Sequence, residues 1–249
     1  MNTKEQVLQG CTVEGLVVKL PPGQLDRKLY QDVAKALELI GGKWKGGKVM
    51  GFVFPTDPTD LLEQIANGDQ RNLKKEFQFF ATPKDIADKL AELANINDPM
   101  LLVLEPSAGQ GAIIEALLRK EPKLLVHAYE LMDVNRSILE SKFSSSDCVI
   151  LGDDFMEADS ITRFNRIVAN PPFTKNQDID HIKRMYSLLR NGGRVVSIAS
   201  TSWEFGSQKK QVEFRDWLKE VGAEVHALPR GTFKESGTDI ETRIIVIDK

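Results

Sequence analysis

The 249-residue sequence predicts an α/β fold. A mostly parallel sheet is covered by helices on both faces, its last strand runs antiparallel, and a small N-terminal α+β segment precedes it. Three observations carry this. From residue 101 onward, short apolar runs alternate with amphipathic stretches of helical period, which is the pattern of a parallel sheet with two covered faces. The final apolar runs, Val225 to Leu228 and Arg243 to Ile247, are joined by a loop without helical periodicity, so the last strand returns antiparallel. Two polar turns, Glu105-Pro106-Ser107-Ala108-Gly109-Gln110-Gly111 and Asn170-Pro171-Pro172-Phe173, each follow an apolar run directly. Open α/β sheets place their ligands at such strand ends.

The elements follow in order. Residues 1–74 read as an accessory segment. Leu16-Val17-Val18 is a short strand stopped by Pro21-Pro22, and Leu29, Val33, Leu37 and Ile40 recur at helical spacing until Gly41-Gly42. Lys43 to Gly47 reads as a turn before a strand from Val49 to Phe54, and Leu61, Leu62 and Ile65 mark another short helix. A segment this small is expected to bury little core alone and to pack on the rest. Residues 75–249 read as one domain. Thr82 is placed as a helix N-cap with Pro83 at the first helical position, and Ile86, Leu90 and Leu93 line one face of that helix. Strands are expected at 101–104, 124–129, 148–151, 166–169 and 193–199. Helices are expected at 111–120, 133–142, 178–190 and 209–221.

Composition narrows the class. With 41% hydrophobic and 28% charged residues the chain reads as an ordinary globular protein. No apolar run approaches a membrane span and the first residues carry no signal-peptide pattern, so no membrane partner is expected. Cys11 and Cys148 lie far apart without ligand-like spacing, which points to reduced thiols and a cytoplasmic protein. The three histidines fall in no metal motif, so no metal is expected. A net charge of −3 neither announces nor excludes a nucleic-acid binder, because a local basic patch can supply phosphate contacts.

Several residues have types and positions suited to chemistry. Gly109 and Gly111 let backbone approach a ligand without Cβ obstruction, in a loop that opens a helix. Ile114 stands where a dinucleotide fingerprint has its third glycine. Glu130 ends the next strand, where an acid can accept from ribose hydroxyls. Asp154 can accept from an adenine amino group while Phe155 packs on the ring; a simple turn cap is the other reading. In Asn170-Pro171-Pro172-Phe173 the prolines fix two φ angles and hold Asn170 extended. The Asn170 side-chain oxygen and the Pro171 carbonyl can then accept from one planar amino group, with Phe173 as a flat face for a base. In the N-terminal segment, Lys43, Trp44, Lys45 and Lys48 gather three ammonium groups around one aromatic. Such a turn can reach phosphates while Trp44 stacks or wedges; a core Trp44 under solvated lysines is the alternative.

Residues 75–249 resemble the class I S-adenosylmethionine-dependent methyltransferases of the N6-adenine DNA type. Gln78-Phe79-Phe80-Ala81-Thr82-Pro83 is similar to the upstream motif that holds the methionine end of the cofactor. Glu105 to Gly111 resembles the acidic-Pro-x-x-Gly-x-Gly loop, Glu130 the ribose-binding acid, Asp154-Phe155 the adenine-binding pair, and Asn170 to Phe173 the catalytic motif. The resemblance implies a Rossmann-like seven-stranded sheet, S-adenosyl-L-methionine as cofactor, and DNA with a flipped adenine as partner. Its mechanism is methyl attack by an amine whose two N–H bonds are drawn out of conjugation by Asn170 and Pro171. An RNA adenine methyltransferase, a protein glutamine methyltransferase and a non-catalytic subunit share parts of the pattern. No large target-recognition region separates Phe173 from Gly192-Gly193. Recognition is therefore expected from residues 1–74, from short loops, or from a recognition subunit or homodimer partner.

Overall fold

The computed structural model describes residues 3–54, 57–71, 81–234 and 240–249. The chain divides into two compact units, Met1–Phe77 and Gln78–Lys249. Among the described residues no helix is long and apolar enough to cross a membrane.

The first unit contains α1 (Lys4–Gln9), β1 (Thr12–Glu14), β2 (Val17–Lys19), α2 (Arg27–Leu39), β3 (Lys43–Lys45), β4 (Gly51–Val53) and α3 (Thr59–Ala66). Its strands form an antiparallel sheet in the order β1-β2-β4-β3. Asp26 caps α2 by accepting from the Lys28 and Leu29 amides. Val7, Leu8, Val18, Val33, Leu37, Ile40, Phe52 and Phe54 close a core of their own. That corrects the expectation of a segment with little core: residues from three helices and from the four-stranded sheet bury together. Lys43 to Gly47 is also not all turn, because residues 43–45 pair with β4.

The second unit carries α4 (Lys84–Leu93), β5 (Val103–Glu105), α5 (Ala112–Lys120), β6 (Val126–Tyr129), α6 (Asp133–Lys142), β7 (Cys148–Gly152), β8 (Phe164–Ala169), α7 (Gln177–Ser187), β9 (Leu189–Ser200), α8 (Ser202–Phe205), α9 (Lys209–Glu220), β10 (Glu224–Ala227) and β11 (Thr242–Asp248). Its seven strands stand in the order β10-β11-β9-β8-β5-β6-β7. β5 pairs parallel with β6 and with β8, β6 with β7, and β8 with β9; β11 pairs antiparallel with β9 and β10. The reversed strand is thus the last in sequence, as expected, and it lies inside the sheet edge.

The apolar runs are buried on both faces, as parallel strands must be. One core gathers Leu90, Val103, Ile114, Leu117, Val126, Val168 and Ile198; the other gathers Leu104, Ile167, Ile182, Val195, Phe214 and Ile245. Helix α7 ends at Ser187 rather than 190 because Leu189 already pairs with Phe164. Helix α4 begins one residue later than expected, with Pro83 at the cap position and no side-chain cap bond.

Candidate active site

Strand order reverses at β5. The chain runs outward through β6 and β7 on one side, then returns to place β8 on the other. The loops after β5 and β8 therefore leave adjacent parallel strands at one sheet edge, the position where such sheets hold ligands.

The loop after β5 is built around two buried acids. Glu105 is 1% exposed, and burial together with the nearby Glu130 charge holds its carboxyl well above the usual carboxylate range; a bond from the Ile114 amide works in the opposite direction. Its Oε2 is buried without a hydrogen-bond partner among the described residues. Gly109 adopts φ +55, and its N–H donates to Glu130 Oε2 at 2.7 Å. Glu130 Oε1 accepts from the Met132 amide at 2.9 Å and from Asn135 Nδ2 at 3.2 Å. Glu130 is thus the organiser of the glycine loop, a role the sequence reading did not assign it. Asn135, buried on the first turn of α6, is a site residue that reading missed.

The fold itself requires glycine at 111. At φ +82 a Cβ would meet Phe143 Cε2 at 2.4 Å and Leu139 Cδ2 at 3.0 Å. That close approach is to the protein's own α6 side. Pro106 is buried and Ser107 half-buried in the same loop.

After β7, Asp154 Oδ1 accepts from the Met156 amide at 2.8 Å and caps a single 3₁₀ turn. Phe155 is 2% exposed, with Tyr129 and His181 at centroid distances of 5.9 and 5.6 Å. The ring expected to pack on a cofactor base is a core residue here, because the 3₁₀ turn rotates it inward.

After β8, Asn170 Nδ2 donates to Thr82 Oγ1 at 3.1 Å. This bond joins the start of α4 to the Asn-Pro-Pro-Phe turn across 88 residues of sequence. Thr82, one residue before the cap position of α4, is thus engaged with the turn and not with the helix. The bond engages one Nδ2 hydrogen and so fixes the orientation of the amide, whose Oδ1 is an acceptor. Pro171 is buried and Pro172 half-buried. Phe173 is only 9% exposed and belongs to the core cluster that includes Ile198 and Phe233, so little of its ring is open as a stacking face. Phe80 lies outside the described residues.

In the first unit Lys43, Trp44, Lys45 and Lys48 are exposed. Trp44 is 42% exposed and meets Phe52 edge-on at 5.2 Å. Strand alternation sends Lys43 and Lys45 to the face opposite Trp44, so the lysines do not ring the aromatic. They decorate the edge strand β3, where lysine also discourages unwanted strand pairing.

A reversed strand within one end of a seven-stranded parallel sheet, with a glycine loop and an Asn-Pro-Pro-Phe turn at adjacent strand ends, defines the class: the chain has the fold of the class I S-adenosylmethionine-dependent methyltransferases. Among solved structures it is similar to the M protein of the Type I restriction enzyme EcoKI, at TM-score 0.56 and 18% identity over 91% of this chain and 51% of that one. A putative class I methyltransferase from Listeria monocytogenes gives TM-score 0.53 and 14% identity over 77% of this chain and 66% of that one. Among curated proteins it is 30% identical over 109 residues to the Type II methyltransferase M.AccI of Acinetobacter calcoaceticus, and 29% identical over 116 residues to the modification methylase CviBIII of Paramecium bursaria Chlorella virus NC1A. The matches take in 43% and 44% of this chain but only 20% and 30% of those relatives. No protein-family model matches the chain.

Proposed function

We propose that the chain transfers a methyl group from S-adenosylmethionine to the N6 amino group of adenine in DNA. The observation that carries the reading is Asn170, oriented by Thr82 at the strand end beside the glycine loop. The restriction and modification methylases among its relatives support the DNA substrate.

The residues present fit the cofactor. Glu105 keeps a buried carboxyl oxygen without a protein partner among the described residues, an acceptor suited to an ammonium. Glu105, Pro106, Ser107 and Gly109 would hold the methionine part with Thr82 and Pro83. Glu130 would receive the ribose, since an ionised carboxylate has about four acceptor positions and three are used within the protein. Asp154 would meet the adenine. When bound, S-adenosylmethionine supplies an electrophilic sulfonium methyl group.

The chain's own part is positioning and aimed dipoles. Asn170 Oδ1 and the Pro171 carbonyl accept the two N–H bonds of the target amine and increase its pyramidal character. The backbone between them is held by two fixed φ angles. Burial of Ala169 and Pro171 on either side of Asn170 keeps competing water from the acceptors. The exposed edge of Phe173 would meet the extruded base. Phosphate contacts are assigned to the exposed Lys43, Lys45 and Lys48, and target choice to the first unit or to a recognition subunit.

The test is tritiated methyl transfer to DNA, tRNA, rRNA and protein in parallel, with nucleoside analysis of the product. N6-methyladenine in DNA is expected; label in glutamine or in RNA alone overturns the assignment.

A further inference from the structure

The turn after β9 holds an aromatic ring out in solvent. In α8, Trp203 is buried whereas Phe205 is 85% exposed. The residues on either side of it are held by side-chain contacts. Glu204 and Arg243 form a two-pronged ion pair at 2.8 and 2.9 Å, both side chains less than a fifth exposed. Arg215 Nη1 donates to the carbonyls of Trp203 and Gly206 at 2.5 and 2.8 Å. The Gln211 side chain lies so close to Gly206 that a Cβ there would meet Oε1 at 1.8 Å. The ring is presented by a locked turn.

That turn is tied to the Asn170 loop. β8 and β9 run parallel with Ala169 opposite Ser197, so both chains leave the sheet at one edge. Ser202 Oγ donates to Asn176 Oδ1 at 2.9 Å, and Asn176 Nδ2 donates to Gln208 Oε1 at 3.1 Å. Beneath them the fully buried Asp178 accepts from the Ser200 amide and hydroxyl, both at 2.8 Å. Lys175 and Asn176 hold left-handed backbone, φ +56 and +58, in succession. Such backbone is strained for L-residues and persists where surroundings enforce it. The cationic side chains on the joined segments suit a polyanion: Lys175 is exposed, and Lys209 and Lys210 open α9, the former with 89% of its side chain exposed. Their protein partners are Glu213 at 3.7 Å and Asp180 at 2.5 Å.

We propose that Phe205 enters a DNA duplex beside the target adenine and occupies the stacking position that the extruded base leaves. The inference rests on the adenine DNA methyltransferase reading. Apolar side chains at a bending surface unstack a base step, and aromatic faces replace the lost stacking. Extrusion is uphill for a paired base and least so for an unpaired one, so the contribution of Phe205 depends on pairing.

The experiment uses an oligoduplex carrying a site that the wild type methylates in plasmid DNA, either fully paired or with an abasic position opposite the target adenine. Wild type, Phe205→Ala and Phe205→Trp are compared in kcat/KM, and base extrusion is read by 2-aminopurine fluorescence at the target. Phe205→Ala should lower kcat/KM on the paired duplex roughly 10- to 100-fold and suppress the fluorescence rise, as expected for one lost stacking partner. On the abasic duplex its loss should be much smaller, and Phe205→Trp should retain most activity on both. Equal loss on the two substrates, or no loss, overturns the inference while leaving the methyltransferase reading intact. A wild type that methylates no DNA overturns both.

Discussion

Gly111→Ala tests how the glycine loop is built. The position has φ +82, and an added Cβ would lie 2.4 Å from Phe143 Cε2, 2.8 Å from its Cζ and 3.0 Å from Leu139 Cδ2. Left-handed backbone costs an L-residue about 1–2 kcal/mol. Overfilling a packed site adds about 1–3 kcal/mol. A total of about 3 kcal/mol lies within those ranges and should lower the melting temperature by about 10 °C, since each kcal/mol moves a domain of this size by about 2–4 °C. The second contribution requires the Phe143 ring. In a Phe143→Ala background, Gly111→Ala should therefore be about 1–2 kcal/mol milder, a coupling well above the scatter of independent sites. Urea unfolding of the four proteins measures it. Additivity within about 0.5 kcal/mol would refute the steric argument; equal stability of Gly111→Ala and wild type would refute the backbone argument as well.

Further outcomes follow from other contacts. Thr82→Val removes the acceptor of Asn170 Nδ2 and should lower kcat about tenfold, the worth of about one net hydrogen bond, while Thr82→Ser restores it; a Val variant with wild-type kcat removes the positioning role. Burial pushes His181 down to about 4, against the pull of Asp154 and Asp180. Between pH 6.5 and about 4 the unfolded chain binds a proton that the folded one does not, so stability falls as pH falls through that window, by about 3 kcal/mol in all. His181→Gln should flatten that part of the pH–stability curve, and an unchanged slope contradicts the assignment. Neutralising Lys43, Lys45 and Lys48 together should weaken DNA binding and flatten log affinity against log salt by up to about three units, roughly 0.9 per contact; an unchanged slope assigns the strand to edge protection.

The domain's architecture was legible where local signals agreed. Asp133–Lys142 and Lys209–Glu220 follow their apolar periodicity nearly to the residue, and the lack of helical periodicity in the sequence before Thr242 announced the reversed strand. The positions of Asn170 and Gly109 were legible because each turn follows a buried strand directly. What sequence did not reveal depends on distant partners. Thr82 reads as a cap until Asn170, 88 residues away, takes its hydroxyl. The need for glycine at 111 shows only once Phe143 is seen against it. Phe155 reads as an open face until the 3₁₀ turn buries it. Phe205 stands on a helix of four residues, too short for any period, and only the fixed turn distinguishes it from an ordinary surface aromatic.

The most direct test of the central claim is single-turnover methyl transfer by Asn170→Ala, with cofactor affinity measured calorimetrically on the same preparation. The account predicts a rate lower by about 10²–10³, the typical effect of deleting one aimed donor or acceptor, with cofactor affinity and melting temperature close to wild type. A variant that transfers methyl groups at the wild-type rate would contradict it, because Asn170 would then not hold the amine.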